Sequence, residues 1–419
     1  EDPPLVHDTE DSMILFGADA QKKAPQVVNE PEDRYNITLV TCCVLGIAVL
    51  FPWNALITAN NFWSYTFGDD TDFEFYLSAV VNWPSWITLL VFTKFGPMFS
   101  FNSRIISTLL VYSVALIFIP AVCSSSLEDN PKAILALVAA FFIGLSSSIL
   151  QGTILGLAAL FPSKYTTATM SGMGIGGVIV GLLAVITQAS LGSLENGATV
   201  QAWVYFLSAV VVVLFALVLY IIMTKTAYAK FYIERYYTET EIQQMNDSKQ
   251  GRPIGWYWNI FTKIWVNGFT VWFVFFISLS LFPGLMLAVK PTYVSVTWYN
   301  LLIPLEFNVF DMLGRSLPYV FMVPDKFVWI FALARIVFYP LVIFCVNPVL
   351  FPSPELWMYG INAIFAFSNG FFGTLPMVYA PGKVTTDEQQ TTGIMMSFFL
   401  NFGIFCATNF AILLSVIIL

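Results

Sequence analysis

The chain has 419 residues, 58% hydrophobic, 17% aromatic and only 11% charged, with a mean hydropathy of +0.75. Soluble globular domains carry about 25% charged residues, so this composition excludes an ordinary soluble enzyme and points to an all-α polytopic membrane protein. A net charge of −8, with few and scattered basic residues, excludes a nucleic-acid binder.

A polar, acidic, Pro-containing arm, 1–34, comes first and is expected to be disordered in part. It starts at Glu1 without Met or a signal-peptide pattern, so the numbering is expected to begin inside a longer chain. Within it EDSMIL, 10–15, distantly resembles an acidic dileucine sorting signal, with Ile14 replacing the usual leucine. A spanning helix needs about 20 mostly apolar residues. That ruler predicts eleven: 36–60, 75–95, 104–123, 132–161, 166–191, 200–225, 264–289, 296–321, 327–347, 355–380 and 390–418. The long polar stretch 226–263 divides them six to five, giving an N-terminal bundle 35–225, a linker 226–263 and a C-terminal bundle 264–419.

Loop cations orient the chain. Of 18 Lys and Arg, Arg315 and Arg335 lie inside spans, Lys132 and Lys290 fall on one side, and the other fourteen fall on the side of the N-terminus. The N-terminus is therefore expected in the cytoplasm and the C-terminus outside, facing the acidic loop with Asp69, Asp70 and Asp72. The sequons at Asn36 and Asn246 fall on the cytoplasmic side and are expected to stay unused. Cys42, Cys43, Cys123, Cys345 and Cys406 lie in apolar runs without metal or disulfide spacing and read as small packed hydrophobes.

The span 296–321 contains FNVFDMLGR, 307–315, with an aspartate and an arginine four residues apart. Either ion alone costs roughly 2.5–3.5 kcal/mol at the centre of a spanning helix. At 100° per residue, Asn308, Asp311 and Arg315 share one face. An intrahelical pair, with Arg315 reaching for the headgroups, is the plain structural reading. It leaves Asn308 on the same stripe unexplained, so a wet path through the bundle is the preferred one. Pro52 in LFPWN, 50–54, predicts a kink that turns Trp53 and Asn54 toward a cavity, whereas Trp63 reads as an interfacial anchor. Gln151 and Asn401 are further polar points in apolar runs, able to bridge helices or line a path. SGMGIGG, 171–177, follows no strand and fails as a nucleotide loop. Gly172/Gly176, Gly177/Gly181 and Gly152/Gly156 instead predict close packing of the fourth and fifth spans. No Walker sequence supports ATP use, and His7, the single histidine, lies in the arm, so neither a cofactor nor a metal is expected.

PWN (52–54), LQGTILGLAALFPSKYTTATMSGMGIGG (150–177), FNVFDMLGRSLP (307–318), LARIVFYPLVIFC (333–345) and FSNGFFGTLPMVYAPGKV (367–384) together resemble the equilibrative nucleoside transporters, over essentially all of 33–418. The resemblance implies a major-facilitator-like pair of bundles and facilitated diffusion of purine and pyrimidine nucleosides, such as adenosine and uridine, by a monomer in the lipid bilayer. It also implies roles for particular residues. Trp53 would pack on the nucleobase, and Gln151 would bond its polar edge. Asp311 and Arg315 would meet the ribose hydroxyls with Asn308 beside them, and Ile57 and Ile404 would form an apolar wall. Asn54, Asn82, Ser85 and Asn401 are additional lining candidates, as is Pro304, which stands where better-known members have an aromatic. Glu306 is an unusual acid for that helix, and Arg335 matches a family arginine; both read as structural or gating. Arg315 beside Asp311 favours uncoupled transport. The plasma membrane is the expected site, with an endolysosomal membrane as alternative. The rival functions are an organic cation or monoamine carrier and a nucleobase carrier of the same family. Met173 stands where the cation-carrying branch has an acid, which disfavours the first. An intramembrane enzyme lacks a nucleophile–base pattern, eleven spans exceed a seven-helix receptor, and TKFGPMFSFNSR, 93–104, lacks the acid of a sugar or drug carrier.

Overall fold

A computed structural model describes residues 30–68, 73–192, 194, 196–246, 252–347 and 353–418. Most of the arm, with His7 and EDSMIL, lies outside the described residues, as do Asp69, Asp70, Asp72, Lys249 and the Asn246 side chain.

The described chain is nearly all helical. The first half holds α1 (Ile37–Thr58), α2 (Asn60–Phe67), α3 (Phe73–Phe95), α4 (Phe101–Cys123), α5 (Asp129–Ala158), α6 (Ser163–Leu191) and α7 (Gly197–Met223). The stretch expected to be a linker folds largely as a helix, α8 (Ala227–Asn246), with Tyr228 and Tyr236 buried. The second half holds α9 (Ile254–Leu281), α10 (Gly284–Leu287), α11 (Val296–Ser316), α12 (Asp325–Ala334), α13 (Phe338–Val346), α14 (Pro354–Tyr379) and α15 (Thr386–Ile418).

Among the described residues, ten helical segments are long and apolar enough to cross a membrane. The tenfold count omits α11, which carries Glu306, Asp311 and Arg315 and so reads as less apolar. Its 21 residues extend about 31 Å at 1.5 Å per residue, close to the hydrocarbon thickness of about 30 Å. It packs lengthwise between α6 and α14. The eleven predicted spans thus each have a helix, with the ninth broken: α12 and α13 are joined by a 3-10 turn, Arg335–Val337. Pro340 explains the break, because it lacks an N–H and its ring crowds the carbonyl of Ile336 one turn earlier.

Two hydrophobic cores underlie two bundles. The larger gathers α1 to α7 and reaches into α9 and α15; the smaller ties α9, α10, α11, α13 and α14. The bundles meet where α6 lies against α11 and where α15 lies against α3 and α5.

Two sequence expectations are corrected. Trp63 is no interfacial anchor: it is 1% exposed, its indole N–H donates to Leu56 O at 3.0 Å, and it lies among Phe62, Phe67, Phe73 and Phe206. A bulky ring with one donor is satisfied inside when a helix end supplies the acceptor. The glycines do bring helices close, but not α5 to α6. A Cβ at Gly172 would overlap the carbonyl oxygen of Cys43 on α1, while Gly177 and Gly181 admit Asn308 and Leu305 of α11. Gly156 likewise admits Gln390 of α15. Helix α1 continues through Pro52 and is interrupted at Ala59. The carbonyl of Val49 near that proline accepts from Tyr112 Oη at 3.3 Å and Ser147 Oγ at 3.5 Å.

Candidate functional site

The pair that stood out in the sequence exists. Arg315 Nε donates to Asp311 Oδ2 at 2.6 Å, and each residue is 5% exposed. The i,i+4 spacing makes the contact, but burial this deep needs more support than one bond. Asp311 receives it from α14, where Asn369 Nδ2 donates to Oδ1 at 2.7 Å. The carboxylate only accepts, which fixes the Asn369 amide with Oδ1 turned away. That oxygen accepts from Ser278 Oγ of α9 at 2.7 Å. Ser278 Oγ in turn accepts from Arg335 Nη2 at 2.7 Å. A continuous chain thus runs Arg315–Asp311–Asn369–Ser278–Arg335 across four helical segments.

Close backbone approach makes this chain fit. A Cβ at Gly370, next to Asn369, would overlap the carbonyl oxygen of Asp311, and one at Gly314 would overlap that of Phe367. Only glycine at both positions lets α11 and α14 lie this near.

The two arginines differ in what they leave over. Arg335, 2% exposed, also donates through Nη1 to Val274 O at 2.8 Å and through Nε to Ser368 Oγ at 3.1 Å. Its guanidinium lies 4.9 Å from the centre of the Phe365 ring. Its bonds all go to α9 and α14, which suits a bolt at the break between α12 and α13. Arg315 Nη1 is buried with no protein acceptor among the described residues. Buried polar groups normally find partners, which makes this donor an exception.

Another buried donor of this kind belongs to the other bundle. Gln151 of α5 is 3% exposed; its Oε1 accepts from Asn401 Nδ2 of α15 at 3.2 Å, and its Nε2 has no acceptor among the described residues. The other predicted residues are placed less pointedly. Asn308 spends its Nδ2 on Gly177 O at 3.1 Å, tying α11 to α6. Glu306 accepts from Asn362 Nδ2 at 2.8 Å, tying α11 to α14. Trp53 and Ile404 are half-buried against the larger core, Asn54 and Pro304 are half-buried, and Ile57 is 41% exposed. Asn82 and Ser85 bond back to their own helix, at Ser78 O and Val81 O.

Sequence reasoning missed the polar end of the molecule. There Lys263 pairs with Glu388 at 2.7 Å and Arg252 with Asp387 at 3.5 Å. Arg104 of α4 is 4% exposed. With its amide turned as the surrounding donors require, Gln390 accepts from Arg104 Nη1 at 2.8 Å and joins the bundles there. The cation count treats these residues only as charges flanking spans; the acids in TTDEQQ, 385–390, are the available signal for their pairing.

A model of the nucleoside transporter family matches residues 135–416, about two thirds of the chain. The chain belongs to the nucleoside transporter family. This nucleoside transporter is 28% identical over 387 residues to equilibrative nucleotide transporter 1 of Arabidopsis thaliana, covering 89% of this chain and 85% of that one. It is 27% identical over 457 residues to human equilibrative nucleoside transporter 1, covering 93% and 99%. Its fold is that of the major facilitator superfamily. The proton:xylose symporter XylE superimposes with a TM-score of 0.66 at 10% identity, covering 90% of this chain and 88% of that one. The transporter FucP, in the outward conformation, does so with 0.55 at 13%, covering 90% and 91%.

Proposed function

We propose that this transporter carries purine and pyrimidine nucleosides by facilitated diffusion, using a site between its two bundles and alternating access. The observation that carries the proposal is that two of the buried groups without an acceptor among the described residues are Arg315 Nη1, beside Asp311, and Gln151 Nε2, on the opposite bundle. A ribose supplies hydroxyls that accept from a guanidinium and donate to a carboxylate, and a base supplies a polar edge for an amide. Trp53 is assigned to the face of the base, with Ile57 and Ile404 as apolar walls; Asn308, used on Gly177, is assigned to closing α6 against α11 beside the ribose. The bundle end bearing Arg104, Lys263 and Lys383 is assigned to the cytoplasm by the cation bias, and the plasma membrane is the assigned location.

A second reading, an organic cation carrier, draws on Glu306, whose carboxylate has an amide rather than a cation as its partner. Uptake of labelled uridine, adenosine, hypoxanthine and a monoamine into proteoliposomes holding the full chain separates the readings. Saturable uridine and adenosine uptake is expected, without ATP. Uptake of the monoamine alone would overturn the proposal.

A further inference from the structure

Gln151 offers its ligand a donor rather than an acceptor, and the reason lies on another helix. Asn401 Nδ2 donates to Ser397 O, one turn earlier in α15, at 2.9 Å. A carbonyl oxygen only accepts, so the NH2 group of Asn401, not its oxygen, must face Ser397. The second N–H of that group donates to Gln151 Oε1 at 3.2 Å. Turning Gln151 over would set its NH2 against the Asn401 NH2, donor against donor. Each amide is therefore oriented by the one before it, starting from a backbone carbonyl that cannot turn. What remains is Gln151 Nε2, buried and without an acceptor among the described residues.

We infer that Asn401 is a positioning residue that sets base selectivity: it locks the Gln151 amide with its N–H toward the ligand. The site then favours bases whose exocyclic group remote from the ribose is a carbonyl oxygen over those carrying an amino group. This rests on the nucleoside reading above and deepens it. Asn401 touches no substrate in this scheme; it acts through Gln151.

The test compares kcat/KM for two matched pairs, uridine with cytidine and inosine with adenosine, in proteoliposomes containing the full chain. Wild type should favour the carbonyl member of each pair by about fivefold, the weight of one net hydrogen bond. Asn401→Leu frees the Gln151 amide to rotate, and the ratio should fall close to one. A merely structural loss would lower both members alike and leave the ratio unchanged. Asn401→Asp supplies an acceptor to Gln151 Nε2, turns Oε1 toward the ligand, and should reverse the ratio. Wild type favouring cytidine and adenosine would overturn the inference without any variant. So would an unchanged ratio in whichever of the two variants folds. Absence of uptake for all four nucleosides would instead bring down the nucleoside reading, and this inference with it.

Discussion

Arg315 and Arg335 end the same hydrogen-bond chain, yet their surroundings predict different failures when each becomes lysine. Arg335 meets Val274 O, Ser278 Oγ and Ser368 Oγ from three nitrogens; one ammonium cannot reach all three, because its donors diverge from a single atom. Arg335→Lys should therefore lower the thermal unfolding temperature while the uridine KM stays near wild type. Arg315→Lys keeps an ion for Asp311 but loses the fork that leaves Nη1 free. It should raise the KM with a smaller stability loss. Removing the charge outright, Arg315→Gln, leaves Asp311 poorly compensated and should cost about 3–5 kcal/mol of stability. Thermal unfolding beside uridine uptake checks the contrast, and the opposite pattern would exchange the assigned roles. The Asp311–Arg315 contact was legible in the sequence because one turn of helix enforces it. The rest of the chain was not: Asn369 lies 58 positions from Asp311 and Ser278 lies 57 from Arg335, and no local pattern reports such separations.

Among the helices, α14 carries its own control. Gly370 faces α11, where a Cβ would overlap the Asp311 carbonyl oxygen, whereas a Cβ at Gly360 meets nothing within 4 Å. Gly370→Ala must push α14 away and draw Asn369 off Asp311, an overpacking cost of about 1–3 kcal/mol. Transport should fall sharply. Gly360→Ala gains helix propensity of roughly 0.5–1 kcal/mol and should be tolerated. Equal behaviour of the two variants in uridine uptake and thermal unfolding would contradict the close-approach account. Small-residue spacing revealed that glycines admit neighbours, but not which ones. Gly172 and Gly177 lie 500° apart on an ideal helix, about 140° around its axis, so α6 offers them to different partners, α1 and α11. Periodicity could not name either. The ruler of about 20 mostly apolar residues finds α11, whereas a stricter apolarity count omits it, because Glu306, Asp311 and Arg315 lower its apolar score. The helical character of 227–246 was hidden: its polar composition reads as loop, while its buried tyrosines hold it against the bundle.

For the whole molecule, composition and hydropathy made the helical spans and their six-to-five division legible, since lipid leaves few options to a chain with this many apolar runs; the pairing into two bundles came from the family resemblance. The meeting of the bundles was not legible, because Asn308–Gly177, Gln151–Asn401 and Arg104–Gln390 each join residues more than a hundred positions apart. Orientation is tested by cysteines at Ser126 and Lys225, both exposed and on opposite sides by the cation bias. A membrane-impermeant maleimide on intact cells should label Ser126→Cys and spare Lys225→Cys; the reverse would invert the topology. Asp311 and Arg315 are proposed to serve the ribose of a nucleoside rather than only each other. The direct measurement is inhibition of uridine uptake by uridine, 3′-deoxyuridine and uracil at one pH. Losing the 3′-hydroxyl leaves part of a desolvated site unpaired, at about 1–3 kcal/mol, or roughly 5- to 150-fold in affinity. Water entering the gap places the expected loss in the lower half of that range, with uracil weaker still. A 3′-deoxy analogue bound as tightly as uridine would return the ion pair to a purely structural role, and uracil competing as well as uridine would make the protein a nucleobase carrier.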